Sequence, residues 1–237
     1  MQVGTSRVEM TIRPFTYFLC CFLLFFCFAR DLQGQVKDFQ TWWELEMDKE
    51  IGSKLDLNAE LEQRFDNNSL QYSRTLLSMG ASYDMLDYLS VAGGARIIFT
   101  LDGEQELRSR SRLHFDAIGG YDLSGFNLSL RVRFQYGFDE LMAFRYFNLN
   151  ALVNRNRLKV ARHVFGTKFD WFASLESWHG SGIKPQWQTF GMRYSAGISY
   201  SINFTSSFSL RYILDDEFNV INPRQMHVLV MGYSHSF

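Results

Sequence analysis

The sequence predicts an all-β fold, an antiparallel up-and-down barrel whose strands cross a membrane. Three observations predict it. Eleven segments alternate apolar and polar residues with period two. Aromatic residues make up 16% of the 237 residues, while only three are proline. The last segment, 226–237, ends the sequence on Phe237. Period two is the strand period, aromatic residues favour strands, and proline interrupts strand ladders.

The N-terminal segment has the pattern of a secretory signal. Residues 15–28 form an apolar run that follows Arg7 and Arg13 and precedes the polar residues 30–35. This run is too short for a comfortable membrane span. We therefore expect residues 1–34 to be a cleaved signal peptide, with Met10 as an alternative true start, and residues 35–237 to form the barrel. A retained signal anchor is the alternative interpretation.

The three cysteines, Cys20, Cys21 and Cys27, all lie within this signal. The mature chain therefore has no disulfide, no thiolate nucleophile and no cysteine metal site.

The alternating segments span approximately 41–51, 54–66, 71–84, 88–101, 107–122, 126–138, 153–164, 168–178, 189–202, 205–217 and 226–237. In segment 126–138, for example, Phe126, Leu128 and Leu130 share one face, while Arg131 and Arg133 lie on the other. A secreted soluble sandwich would show the same alternation. The segments are longer than typical sandwich strands, and their apolar faces end in aromatic residues, which favours a membrane barrel.

The connections alternate between short and long. Short turns come at 52–53, 85–87, 123–125, 166–167 and 203–205, and longer loops come at 67–70, 102–106, 139–152, 179–188 and 218–225. Outer-membrane barrels have short periplasmic turns and long outer loops, and bacterial ones have an even strand number. We expect twelve strands, with ten as the alternative, although eleven are visible. Either a strand is hidden, or residues 35–41 run through the lumen or pair irregularly.

Three stretches carry a resemblance to a known family. The opening QTWWELEMDKEIGSKLDLNAELEQRF, the central RNRLKV at 155–160 and the closing YSHSF resemble the domain of unknown function family numbered 2490. The resemblance covers essentially all of the mature chain. It implies an outer-membrane β-barrel of a Gram-negative bacterium, surrounded by outer-membrane lipid, and it carries over no catalytic residue.

The closing strand is also similar to the signal that the outer-membrane assembly machinery reads at a barrel's C-terminus. Gly232 and Phe237 match that pattern, and Tyr233 lies within it. His235 stands where an aromatic or apolar residue is usual, and Val230 where a polar residue is usual. The resemblance implies the assembly machinery as a partner.

Alternating charges predict a charged lumen. The candidate lumen residues are Arg108, Arg110, Arg112, Arg131, Arg133, Arg155 and Arg157, with Glu44, Glu46, Glu60 and Glu62 on the first two segments. Arginine suits bidentate pairing with carboxylates or with a ligand's phosphate. One interpretation is an internal ion-pair plug or narrow polar lumen, because unpaired buried charge is costly. The other is a strip that attracts anions and guides a small solute or a lipid headgroup.

No catalytic residue, metal site or cofactor is predicted. A lipid-acting hydrolase needs a serine, a histidine and an orienting group on the outer face. His179 beside Ser181 in WHGSG is the nearest candidate, but glycine and serine also suit an ordinary loop. No His-x-His motif or acidic repeat indicates a metal, and the net charge of −1 gives no basic field for nucleic acid.

The expected function is a small channel or binding barrel in the outer membrane. One alternative is an outer-membrane hydrolase acting on lipid. Another is a structural or assembly barrel that binds a protein partner through its outer loops, of which 139–152 is the longest and is unusually apolar.

Overall fold

The computed structural model describes residues 36–101, 106–138, 152–181 and 187–237. The predicted signal peptide, with its three cysteines and cleavage site, lies outside the described residues. So do positions 102–105, 139–151 and 182–186, which include most of the predicted loop 139–152.

The described residues form eleven β-strands that close into one barrel. The strands are β1 Val36–Ile51, β2 Leu55–Asp66, β3 Gln71–Leu86, β4 Leu89–Leu101, β5 Leu107–Leu123, β6 Phe126–Phe138, β7 Leu152–His163, β8 Phe169–Ser181, β9 Trp187–Ser201, β10 Ser206–Glu217 and β11 Arg224–Ser236. Each strand pairs antiparallel with the next, from β1 to β11. The predicted all-β barrel is confirmed, and its segments are those visible in the sequence.

The closing seam differs from the expected antiparallel, even-numbered arrangement. β1 pairs parallel with β11, from Val36 opposite Arg224 to Asp48 opposite Ser236. An odd number of strands closes in this way because the first and last strands run in the same direction. The stretch 36–41 extends β1 along the seam, so no twelfth strand is needed within the described residues. The backbone N–H of Phe237 donates to the carbonyl of Asp48 at 3.0 Å, which continues this pairing beyond the last strand residue.

Two tight turns show why glycine follows the strand ends. Gly52, after β1, has φ of +70°, and Gly125, before β6, has φ of +82°. Side chains other than glycine rarely adopt this left-handed region. The turns at these two positions therefore match the short connections that the sequence predicts.

Burial is inverted relative to a water-soluble barrel. Adjacent tryptophans show this most clearly, since Trp42 is 2% exposed and Trp43 is 52% exposed. The outward face exposes further large apolar side chains, among them Met79, Phe115, Leu130, Phe134, Leu158, Ile198 and Leu210. Inside, Trp42, Ile213, Val228 and Val230 form an apolar cluster with Met226 packed against it. No helix in the part of the chain described above is long and apolar enough to cross a membrane.

Candidate functional site: the charged lumen

The lumen has an acidic wall and a basic wall. The acidic wall consists of the inward side chains of β1 and β2: Glu44, Glu46, Asp48, Glu60 and Glu62. The basic wall consists of the inward side chains of β6 and β7 with the neighbouring Arg112 of β5: Arg112, Arg131, Arg133, Arg155, Arg157 and Lys159. In the ring of eleven strands, β6 and β7 lie four or five strands away from β1 and β2. The two walls therefore lie on opposite sides of the barrel.

Two buried carboxylates hold part of the basic wall. Asp116 of β5 accepts two hydrogen bonds of 2.7 Å from Arg133. Glu176 of β8 accepts from Arg131 at 2.6 Å and from Arg155 at 2.7 Å. Such charge-assisted pairs orient the guanidinium groups and offset much of the cost of burying the charges.

The basic wall nevertheless has more cations than carboxylates. Arg112, Arg157 and Lys159 form no ion pair with a carboxylate in the described ranges. Arg157 is the register partner of both Arg131 and Glu176, but Arg131 and Arg155 take the two oxygens of Glu176. The buried Nε atoms of Arg131, Arg155 and Arg157 have no hydrogen-bond partner in these same ranges.

The surroundings of Arg112 increase this excess positive charge. Its principal electrostatic neighbours are four other guanidinium groups, those of Arg96, Arg64, Arg155 and Arg74. Its register partners, Arg96 on β4 and Gly137 on β6, supply no carboxylate. An anion placed near Arg112 would therefore meet several positive groups, of which Arg96, Arg64 and Arg155 also pair with carboxylates.

The acidic wall is compensated by arginines from neighbouring strands. Arg211 of β10 donates to Glu44 at 2.5 Å, and Arg96 of β4 donates to Glu60 at 3.0 and 3.2 Å. Arg64 pairs with Glu62 on the same strand. Glu46 and Asp48, nearer the end of β1, form no ion pair with the cations that the structure describes.

Trp42 points inward from β1 and is stacked against arginine. The guanidinium of Arg64 is 3.5 Å from the centre of the Trp42 ring, and that of Arg193 is 5.4 Å from it. Arg193 is also 5.2 Å from the ring of Trp178. Cation–π contacts of this kind are stronger where the cation is desolvated. Together with the apolar cluster, Trp42 fills the side of the lumen bounded by β1, β10 and β11.

The structure separates the predicted arginines into two groups. Arg131, Arg133, Arg155 and Arg157 lie side by side, because Arg131 pairs in register with Arg157 and Arg133 with Arg155. Arg108 and Arg110 lie instead at the exposed start of β5, opposite Thr100 and Ile98. Arg110 forms no ion pair with a described carboxylate.

Sequence reasoning did not identify Arg96, Arg193 or Trp42, which contact Glu60, Asp215 and the guanidinium of Arg64 respectively. Alternation shows which face a residue is on. It does not show which residues of neighbouring strands lie side by side, because the stagger between the strands determines which residues are level with one another.

The residues of the predicted assembly signal have mixed surroundings. Gly232 faces the lumen, and a Cβ atom there would lie 2.5 Å from the Ser209 hydroxyl. The Tyr233 hydroxyl donates to Ser206 at 3.2 Å. Phe237 is exposed, with its ring centre 4.6 Å from that of His235.

In the described ranges, no group of three or more His, Cys, Asp or Glu residues is placed to hold a metal ion.

Comparison with known proteins identifies the family of the chain. A search of curated proteins finds no significant match. Among solved structures, the NanC porin in its rhombohedral crystal form is similar, with 10% sequence identity, a TM-score of 0.48, and coverage of 80% of this chain and 93% of that one. A family profile described as "Protein of unknown function (DUF2490)" matches residues 39–226. The chain therefore belongs to the DUF2490 family.

Proposed function

We propose that the mature chain is an outer-membrane β-barrel of a Gram-negative bacterium, exported by its N-terminal signal. The exposed apolar side chains of the outward face support this, because such a surface is stable against lipid and unfavourable in water. The closed ring of strands supports it as well, since an unpaired edge is not tolerated in hydrocarbon. The outer-membrane assembly machinery would then insert the barrel by way of β11.

Within that membrane, the barrel works as a narrow channel or binding barrel for small anionic solutes. The observation that carries this proposal is that Arg112 and Arg157 form no ion pair with any carboxylate that the structure describes. A lumen filled only for stability would pair its buried charges, because an unpaired buried charge costs several kcal/mol. A carboxylate or phosphate group of a solute would supply the missing partner through the bidentate geometry that arginine favours.

The acidic wall has a complementary role. Opposite charges on facing walls produce an electric field across the lumen, which orients a solute that carries an anionic group and a neutral body. Trp42 and its stacked arginines narrow the remaining space. The lumen is thus suited to small solutes rather than to polymers that need a wide pore.

Planar bilayer recording of the purified barrel tests the proposal. In a potassium chloride gradient, we expect a small conductance whose reversal potential shows preference for chloride. The double variant Arg112→Ala/Arg157→Ala should reduce that preference. Arg162→Ala is the control, because Arg162 is exposed and lies over the Phe126 ring at 4.4 Å on the outward side.

Binding is measured in parallel, so that a closed barrel can also be assessed. Inorganic phosphate and citrate should raise the unfolding temperature of the wild-type barrel and have less effect on the double variant. If the folded barrel neither conducts nor is stabilised by these anions, the proposal is wrong and the charges serve stability alone.

A further inference from the structure

Five polar side chains interrupt the apolar outward face of β7, β8 and β9. They are Asn154 and Asn156 on β7, Ser177 and His179 on β8, and Thr189 on β9. Register places Asn156 opposite Ser177, and His179 between Asn154 and Thr189. The next outward residues, Leu158 and Leu175, are apolar and exposed. The cluster lies at the strand ends that join the long connections, and in outer-membrane barrels the long connections lie on the outer side.

Polar side chains that face lipid are costly, and they require an explanation. Here the side chains bond to one another. Asn156 donates to Asn154 at 2.8 Å, and Asn154 donates to the backbone carbonyl of Arg133 at 3.2 Å. These bonds do not explain why a histidine lies at the centre of the cluster.

Both ring nitrogens of His179 are bonded to hydroxyl groups. The Ser177 Oγ is 2.9 Å from Nε2, and the Thr189 Oγ1 is 2.9 Å from Nδ1. The arrangement is consistent when Nδ1–H donates to Thr189 and Nε2 accepts from the Ser177 hydroxyl. This is the order of nucleophile, base and orienting group by which serine hydrolases are recognised across unrelated folds.

A β-bulge produces this geometry. The register between β8 and β9 shifts at Trp178/His179, so His179 pairs with Thr189 while Trp178 pairs with Gly191. A regular ladder would place Phe190 opposite His179 and would remove the hydroxyl from Nδ1. Bulges commonly re-aim a side chain beside a functional site.

Another Ser–His contact in the barrel shows what is different here. Ser206 is 2.9 Å from His235, but the contact is at Nδ1, and Ser206 is buried and also receives a hydrogen bond from Tyr233. Ser177 is partly exposed on the outward face. Among the histidines whose contacts the structure describes, His179 is the one with a hydroxyl on each ring nitrogen.

We propose that Ser177, His179 and Thr189 form an acyl-ester hydrolase site on the outward surface of the barrel. The substrate class is an ester-linked acyl chain of a membrane lipid. The site lies where the apolar surface ends, so an acyl chain can lie along Leu158 and Leu175 while its ester reaches Ser177. The substrate class rests on the membrane location proposed above, but not on the role of the lumen.

The reaction has two steps. Ser177 Oγ attacks the ester carbonyl carbon as its proton passes to His179 Nε2, and the resulting tetrahedral intermediate expels the lipid alcohol, which takes that proton from His179. Water then attacks the acyl-Ser177 ester and gives a proton to His179. Collapse releases the fatty acid and returns a proton to Ser177. The Asn156 amide, opposite Ser177, donates to the carbonyl oxygen as it becomes negative.

Thr189 is a positioning residue, because it acts through His179. A neutral hydroxyl holds the imidazole in the required tautomer but stabilises the imidazolium less than a carboxylate does. Thr189→Ala should lower kcat with little change in KM, and Thr189→Ser should restore it, since only the hydroxyl is needed. A purely structural role for Thr189 would not produce this pattern.

The test uses the purified, folded full barrel in mixed micelles with dioleoylphosphatidylethanolamine. We expect fatty acid release and covalent labelling of Ser177 by a fluorophosphonate, located by mass spectrometry. Ser177→Ala should abolish both, and His179→Ala should lower hydrolysis on the order of 10²- to 10⁴-fold. Ser206→Ala is the matched control and should retain the wild-type rate. Heat-modifiable migration in gel electrophoresis checks that each variant is folded.

Three results would overturn the proposal: no hydrolysis and no label in the folded wild type, hydrolysis that persists in Ser177→Ala, or labelling that is equally fast in His179→Ala. The bilayer recordings do not depend on these residues. Failure of the hydrolase site can therefore be distinguished from failure of the proposed lumen function.

Discussion

Arg193 and Asp215 face each other across β9 and β10 and form two parallel hydrogen bonds of 2.6 Å. The side chain of Asp215 is 1% exposed. Arg193 also lies near the rings of Trp42 and Trp178, so this pair connects the ion pairs of the lumen to its aromatic side chains. Among the ion pairs of the described residues, Asp215 is the most completely buried carboxylate.

Asp215→Asn should destabilise the barrel strongly. The substitution leaves the Arg193 charge without its partner inside the lumen, and such a loss costs about 3–5 kcal/mol. Urea unfolding of the barrel in lipid vesicles, followed by tryptophan fluorescence, measures the change.

Asp170→Asn is the control for this experiment. Asp170 pairs with His163 at 3.0 Å, but both side chains are largely exposed, and exposed pairs contribute about 0–1 kcal/mol. Equal unfolding midpoints for the two variants would contradict the view that the pair stabilises the lumen.

Trp42→Ala should increase conductance, because Trp42 is the largest side chain of the apolar cluster that fills one side of the lumen. Loss of a buried tryptophan also costs about 3–5 kcal/mol, so the unfolding temperature should fall. Trp43→Ala changes an outward residue and should leave the conductance unchanged. Single-channel recording of both variants makes the comparison, and equal conductance for the two would show that Trp42 does not narrow the path.

Arg133→Ala should lower the stability of the barrel, whereas Arg110→Ala should change only its preference for anions. Arg133 holds the buried Asp116 through two hydrogen bonds, so its loss should lower the unfolding temperature. Arg110 is exposed near the start of β5 and forms no ion pair with a described carboxylate, so its loss should leave stability unchanged. It should instead weaken the preference for anions, measured as the reversal potential in a salt gradient. A large stability loss in Arg110→Ala would contradict this division.

The parallel seam can be tested by disulfide crosslinking. Thr41 and Leu229 are register partners across β1 and β11, and residues 36–237 contain no cysteine. Partners on adjacent strands lie within the Cα separation that a disulfide accepts, about 4.4–6.8 Å. Thr41→Cys/Leu229→Cys should therefore crosslink on mild oxidation and resist unfolding in gel electrophoresis. Met47→Cys/Leu229→Cys, six residues out of register, should not, and the reverse result would exclude the seam.

Alternation along the chain was enough to predict the strands. Each of the eleven segments visible in the sequence corresponds to a strand, because period-two patterning records the two faces of a strand directly. Turn positions such as Gly52 and Gly125 were predictable for a similar reason, since glycine marks backbone that must adopt positive φ.

The seam was not predictable in this way. Whether β1 joins β11 in parallel, or an additional strand intervenes, depends on pairing between residues almost two hundred positions apart along the chain. Nothing in the local pattern of residues 36–41 states the direction of a distant partner. The rule of even strand numbers therefore led to the expectation of twelve.

The sequence by itself determined that this chain alternates into strands, and that its charges face one side of them and its large apolar residues the other. Only the tertiary structure decided which of those charges meet. The stagger between strands brings Glu176 to Arg131 and Arg155, leaves Arg157 without an ion pair to a described carboxylate, and places Ser177 beside His179. The physical reason is that local strand geometry sets the side to which each side chain points. Which side chains touch depends instead on the register of the whole closed barrel.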